Sequence, residues 1–138
     1  MVKAAILRLM SYRSLSRSVR LGPEDIISLD FATRLRAASI EGRLDAVWFH
    51  VANELAHGHK TGVAAAIARA LGMHRGVGDY IFLHATGALV LEAKSKIGRL
   101  HDGQVDFRDW CTANGVPFHI IRSADEGEAI LRQKGLLR

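Results

Sequence analysis

Three side chains in one short stretch have the types and spacing to do chemistry. Gly78–Lys94 reads GDYIFLHATGALVLEAK, with Asp79 near its start and Glu92, Ala93 and Lys94 at its end. Two carboxylates within reach of each other can share a divalent cation. An oxygen ligand set of this kind suits Mg2+, which is typically held by one or two carboxylates together with water and substrate phosphate.

For that chemistry the three side chains must face one way. The stretch contains two apolar runs, YIFL and ALVLEA, joined at Thr86–Gly87, which is a β-hairpin pattern. A turn centred between Thr86 and Gly87 sets Asp79 opposite Lys94 and Ile81 opposite Glu92. Opposed side chains share a face and faces alternate along each strand, so Asp79, Glu92 and Lys94 project from one side. The two acids are then diagonal neighbours, about 7–8 Å apart at the backbone. A slip of one residue sends Asp79 to the other face. A plainer reading stands beside this one: acids and lysines decorate the solvent face of many hairpins, and Glu-x-Lys alone is a cross-strand solubility device. On the hairpin alone the plainer reading is favoured; the rest of the chain reverses that preference.

At 138 residues the chain is long enough for one domain with its own core, and 49% hydrophobic with 24% charged residues is a globular composition. The lone Cys111 excludes an internal disulfide framework and a cysteine-based zinc site, which fits a reducing, intracellular (cytoplasmic) compartment. No apolar run approaches a membrane span. The net charge is +5, but Lys3, Arg8, Arg13, Arg17 and Arg20 all lie in residues 1–22 without an acid. Residues 23–138 are therefore balanced, and any nucleic-acid face there must come from local clustering. Residues 1–22 read as a flexible basic arm, an organellar presequence, or a short ordered strand or helix; a basic arm or peripheral element is favoured, with the domain proper over 23–138.

The remaining elements follow in order. Gly22-Pro23-Glu24-Asp25 is a helix-start signal, and the helix it opens runs to about Glu41, with Ile27, Phe31, Leu35 and Ala38 on its apolar face. Asp45–Val51 is strand-like. His57 and His59 sit in a glycine-rich loop, where their spacing is weak for zinc. Val63–Met73 is an alanine-rich helix, and Gly76 and Gly78 lead into the hairpin, where backbone can approach a ligand closely. Lys60, Arg69 and Arg75 are placed to form a basic rim, and Lys96 and Arg99 add cations after the hairpin. Asp102 caps a helix to about Ala113, with Gln104 in its first turn and Phe107, Trp110 and Cys111 as its buried stripe. Val116–Arg122 is a strand parallel to 88–94, since strand–helix–strand of these lengths is a crossover unit. Ser123 caps a last helix. The order is that of an α/β fold with a mixed central sheet flanked by helices.

Helix, strand, hairpin, helix and strand, with Asp79 and Glu92-Ala93-Lys94 on the hairpin, resembles the PD-(D/E)XK nuclease superfamily, whose core is restriction-endonuclease-like. More narrowly, FHVANE (49–54), HKTGVAAAIARALGMHRGVGDYIFL (59–83), LEAKSKIGRLHDGQVDFRDWC (91–111) and FHIIRSADEGEAIL (118–131) resemble a stand-alone VRR-NUC domain of phage or bacterial type. The resemblance spans roughly residues 24–137. It implies that Asp79 and Glu92 hold Mg2+ (or Mn2+) with the carbonyl of Ala93, that Lys94 positions water and stabilises developing charge, and that Gln104 is a further polar site residue. It also implies an acid on the first helix, for which Asp30 is the candidate and Glu41 and Glu54 are alternatives. The basic residues Lys60, Arg75, Lys96 and Arg99 are then the nucleic-acid contacts. Two departures stand out: Gly78-Asp79 replaces the usual Pro-Asp, and Asp30 is shorter than the usual glutamate.

What the resemblance implies in function is a metal-dependent DNA endonuclease. It would hydrolyse phosphodiester bonds in branched DNA such as a Holliday junction, as a homodimer whose two-fold symmetry matches the substrate. A non-catalytic nucleic-acid-binding module with the same fold and a nuclease acting on RNA are the rival readings.

Overall fold

The computed structural model describes residues 2–11, 19–51, 62–74 and 76–138. Its elements are α1 (Val2–Leu9), α2 (Pro23–Ile40), β1 (Val47–His50), α3 (Gly62–Ala70), β2 (Tyr80–His84), β3 (Gly87–Ala93), α4 (Asp102–Ala113), β4 (Phe118–Ile121) and α5 (Ala124–Gln133). The chain divides into two units: Val47–Glu92 with Gly98–Ile120, and Met1–Ala46 with Ala93–Ile97 and Ile121–Arg138.

The first of these units contains nearly all of a four-stranded sheet ordered β1-β2-β3-β4. β1 and β2 are antiparallel, as are β2 and β3. The Val90 N–H donates to the Pro117 carbonyl and the Lys94 N–H to that of Ile121, each at 2.9 Å. Both partners advance together, so β3 and β4 run parallel. The sheet is mixed and the class is α/β, as the element order predicts. β3 is a central strand, and Leu89 to Ala93 are all buried. Burial on both faces explains why this strand reads as a continuous apolar run.

Helix α4 lies on β4 through Phe107, whose ring meets that of Phe118 edge-on with centroids 6.1 Å apart. Cys111, one turn on, is buried. Burial raises its thiol pKa, so little reactive thiolate forms near neutral pH. Trp110 departs from the expected buried stripe and is 59% exposed. Positions 107 and 111 lie one above the other on a helix whereas 110 falls to one side, and α4 buries only a narrow strip. The cap is His101 rather than Asp102: its N–H donates to Gln104 Oε1 at 2.9 Å, a side chain reaching back to an orphan donor.

In the other unit, α2 begins as its sequence predicts, with Gly22 as N-cap, Pro23 in the first turn, and Glu24 and Asp25 against the positive end of the helix dipole. Phe31, Ala32, Leu35 and Ala38 form its buried face. Helix α5, capped by Ser123 Oγ accepting from the Glu126 N–H, packs against α2. The crossing is close because Gly127 has no side chain: a Cβ there would stand 2.4 Å from a ring carbon of Phe31. Arg34 ties the helices on the outside, donating to Asp125 at 2.5 Å and Glu128 at 3.1 Å, and to Asp30. Asp125 first, then Asp30 and Glu128, raise the guanidinium pKa further above its usual range. An antiparallel bridge between Leu44 and Leu137 closes this unit. Within residues 1–22, the stretch Val2–Leu9 is a helix in contact with α2, which is the ordered alternative among the three readings. No helix among the described residues is long and apolar enough to cross a membrane.

Two outcomes follow from this packing. Gly127→Ala should destabilise the protein by roughly 1–2 kcal/mol in urea unfolding, because overpacking against a ring with no exposed surface outweighs the gain in helix propensity; Phe31→Leu in the same background should recover part of the loss. Cys111 should react slowly with iodoacetamide in the native protein at pH 8 and rapidly in denaturant. Equal rates in the two conditions would show that the thiol is not sequestered.

Candidate functional site

The hairpin register differs from the sequence expectation. His84 pairs with Gly87 and Tyr80 with Leu91, so the turn is Ala85–Thr86 rather than Thr86–Gly87. Both turns are two-residue loops, and the observed one lies one residue earlier in the chain. The change moves each strand by one position in opposite senses, so face parity is kept. Continuing the ladder one step brings Asp79 level with Glu92 instead of Lys94, and the Asp79 N–H donates to Glu92 Oε2 at 3.1 Å. Directly opposed positions have Cβ atoms about 4.5–5.5 Å apart, closer than the diagonal arrangement. The Asp79 carbonyl accepts from the Val51 N–H at 2.8 Å, which ties the acid to the end of β1.

Glu92 is 1% exposed. Its second oxygen, Oε1, accepts from Gln104 Nε2 at 2.5 Å. The carboxamide of Gln104 is held at both ends, since its oxygen takes the His101 N–H. One residue therefore caps α4 and braces the buried carboxylate, and Asp79, Glu92 and Gln104 form a connected group within one unit. The sequence pattern puts Gln104 in the first turn of the helix; its link to Glu92 needs the fold.

Two glycines before β2 set this group in place. Gly76 has φ +87, and a Cβ on it would fall 2.3 Å from the carbonyl carbon of Gly103 and 2.7 Å from the Gln104 nitrogen. Its close approach is to the start of α4, where the sequence reading expected a ligand. At Gly78 a Cβ would meet Val90 Cγ1 at 2.2 Å. The departure from Pro-Asp is thus matched by the packing: Val90 fills the space that a proline ring would need.

Lys94 belongs to the other unit and is 3% exposed. Its ammonium lies 3.9 Å from Glu24 Oε1 at the start of α2. The acid of the first long helix that meets Lys94 is thus Glu24, which in the sequence is marked only as part of a helix-start signal. Asp30 is instead clamped by Arg34, whose Nε and Nη2 donate to its two oxygens at 3.0 and 3.1 Å. Glu41 pairs with Arg43 at 2.6 Å. The missed signal was spacing from the helix start: an acid in the first turn serves the helix dipole and can also face a neighbouring strand end. A cleft of about 330 Å3 beside this pair is lined by Gly22, Pro23, Glu24, Asp25 and Ser95.

Ala93 is buried at the end of β3, and Lys96 and Arg99 are exposed. Lys60, Arg75 and Glu54, and the His57–His59 pair, lie outside the described residues. Among the described residues no group of three or more His, Cys, Asp or Glu is placed to hold a metal ion. The donor set at β2–β3 is two carboxylates, Asp79 and Glu92, one of them buried and braced. Hard oxygen donors in that number fit a Mg2+-type ion, which keeps several waters and takes substrate phosphate as well; they do not fit a zinc centre. Comparisons with protein-family models, with curated proteins and with solved structures found no match.

The brace can be tested by stability alone. Gln104→Leu should cost roughly 1–3 kcal/mol, because a buried carboxylate loses a hydrogen bond. Glu92→Leu should cost a similar amount by orphaning the Asp79 N–H and the Gln104 amide. The double variant Glu92→Leu/Gln104→Leu should be less destabilised than the sum of the two, and strict additivity in urea unfolding would show that the two side chains act independently.

Proposed function

We propose that this chain is a metal-dependent DNA endonuclease of the VRR-NUC type, with a PD-(D/E)XK core, which hydrolyses phosphodiester bonds in branched DNA as a homodimer. One observation carries the reading. Among the described residues the buried charged side chains are Glu92 and Lys94, two of the three that the hairpin motif singles out. A hairpin that used them for solubility would expose them. Burying a charge is costly unless partners compensate, and such groups concentrate at functional sites.

On this reading Asp79 and Glu92 would hold the cation, joined by the Ala93 carbonyl that the resemblance implies. A divalent ion bound there supplies water activation and Lewis-acid polarisation of a phosphoryl oxygen. Gln104 keeps the Glu92 carboxylate in one orientation by donating to Oε1. The Asp79 N–H does the same for Oε2, so the ligand oxygens are preorganised before substrate arrives. Lys94 enters by its place in the chain, two residues after Glu92. Its ammonium, beside Glu24, would supply positive charge where negative charge develops. Lys96 and Arg99 are exposed cations suited to the DNA backbone.

The test is cleavage of four-way junction, flap and linear duplex DNA, and of matched RNA, with Mg2+ or Mn2+ and with chelator. The expected outcome is junction cleavage that needs the metal. Asp79→Asn, Glu92→Gln and Lys94→Met should each lose about 100-fold or more while remaining folded by circular dichroism. Undiminished cleavage by Asp79→Asn in Mg2+ would sink the assignment. Metal-independent binding without cleavage would favour the binding-module reading.

A further inference from the structure

The segment after Lys94 carries a feature that neither folding nor the hydrolytic chemistry uses. Ile97 is 91% exposed, the highest value among the large hydrophobic side chains described. It sits in the turn Lys96–Ile97, beyond the end of β3. The stem of that turn is fixed: the Lys94 N–H donates to the Ile121 carbonyl at 2.9 Å, and Arg122 Nη1 donates to the Ser95 carbonyl at 2.5 Å. In the chain, Ile97 lies between two exposed cations, Lys96 and Arg99. An isolated surface isoleucine is unremarkable on its own. An isoleucine at the tip of a pinned turn, between cations and three residues beyond a buried lysine, has the chemistry of a wedge. The charges complement phosphate and the aliphatic tip complements the face of a base.

We propose that Ile97 is a specificity-determining residue that inserts against an unstacked base at a DNA branch point, with Lys96 and Arg99 on the flanking phosphates. The inference rests on the nuclease reading above and supplies what that reading lacks, a residue that selects branched over continuous duplex. In a continuous duplex a wedge must first unstack a base step, which costs free energy. At a branch the stacking is already interrupted, so the same insertion is cheaper and the branched substrate is preferred.

The experiment measures binding of the full chain to a four-way junction and to duplex of the same sequence, with Ca2+ replacing Mg2+. Each DNA carries 2-aminopurine, at the branch or at the equivalent duplex position. The wild-type protein should prefer the junction and raise 2-aminopurine fluorescence there. Ile97→Ser should lose roughly tenfold of the junction-over-duplex preference and most of the fluorescence change, with an unchanged melting temperature. Ile97→Phe should retain both. Lys96→Ser should instead weaken binding to both DNAs and lower the salt slope by about one. Retention of the wild-type preference and fluorescence by Ile97→Ser overturns the wedge while leaving the nuclease reading intact. If the wild-type chain neither binds nor cleaves DNA, the nuclease reading fails and the wedge fails with it.

Discussion

The carboxylate of Glu92, buried in the central strand of the sheet, is the constraint around which its unit is arranged. A carboxylate at 1% exposure cannot rely on water, so its lone pairs must be met by protein donors. Two are supplied at fixed points, the main chain at Asp79 and the side chain of Gln104. Each donor brings a requirement of its own. The Asp79 N–H reaches Glu92 only in the hairpin register that makes Ala85–Thr86 the turn. Gln104 reaches it only if α4 starts where it does, and the contact of Gly76 with Gly103 helps to hold that start. Register, helix position and loop conformation are thus coupled through one charged group.

Much of this was legible in the sequence. The helix from Pro23 was marked by its cap, its proline and its apolar spacing, and it ends beside Gly42 as expected. The hairpin, the parallel last strand and the Ser123 cap were all readable from local pattern and connection length. What was not readable is instructive. A turn displaced by one residue changed which side chains oppose each other; both registers keep the same residues on each face, so the alternating apolar pattern does not distinguish them. The spacing of Phe107, Trp110 and Cys111 predicts a buried stripe, but a helix that buries a narrow strip exposes whatever falls beside it, here Trp110.

The acid on the first long helix shows the same limit in electrostatic form. Asp30 lay outside the apolar stripe and had the right type, but sequence does not show that Arg34 one turn away, held also by Asp125 and Glu128, would engage both of its oxygens. Glu24 looked like a helix-dipole residue and is one. Nothing prevents a side chain 46% exposed at a helix start from also meeting a lysine from a strand end, and the 3.9 Å approach to Lys94 is a contact between residues seventy positions apart in the chain. Local rules assign such residues a local purpose, and the tertiary one is added without any local trace.

Charge distribution bears on how the proposed substrate would be recognised. The whole excess of +5 arises in residues 1–22, and the rest of the chain is neutral in sum. Binding driven by counterion release scales with the number of phosphates neutralised, and a balanced surface neutralises few of them. On the proposed reading, the body of the protein therefore has little general attraction for DNA with which to hold every duplex it meets. A small number of cations at defined places, Lys96 and Arg99 among them, would position the backbone. Discrimination would then fall to features that respond to DNA shape. A neutral body with a few placed charges suits an enzyme that passes over continuous duplex and stops where the helix is interrupted.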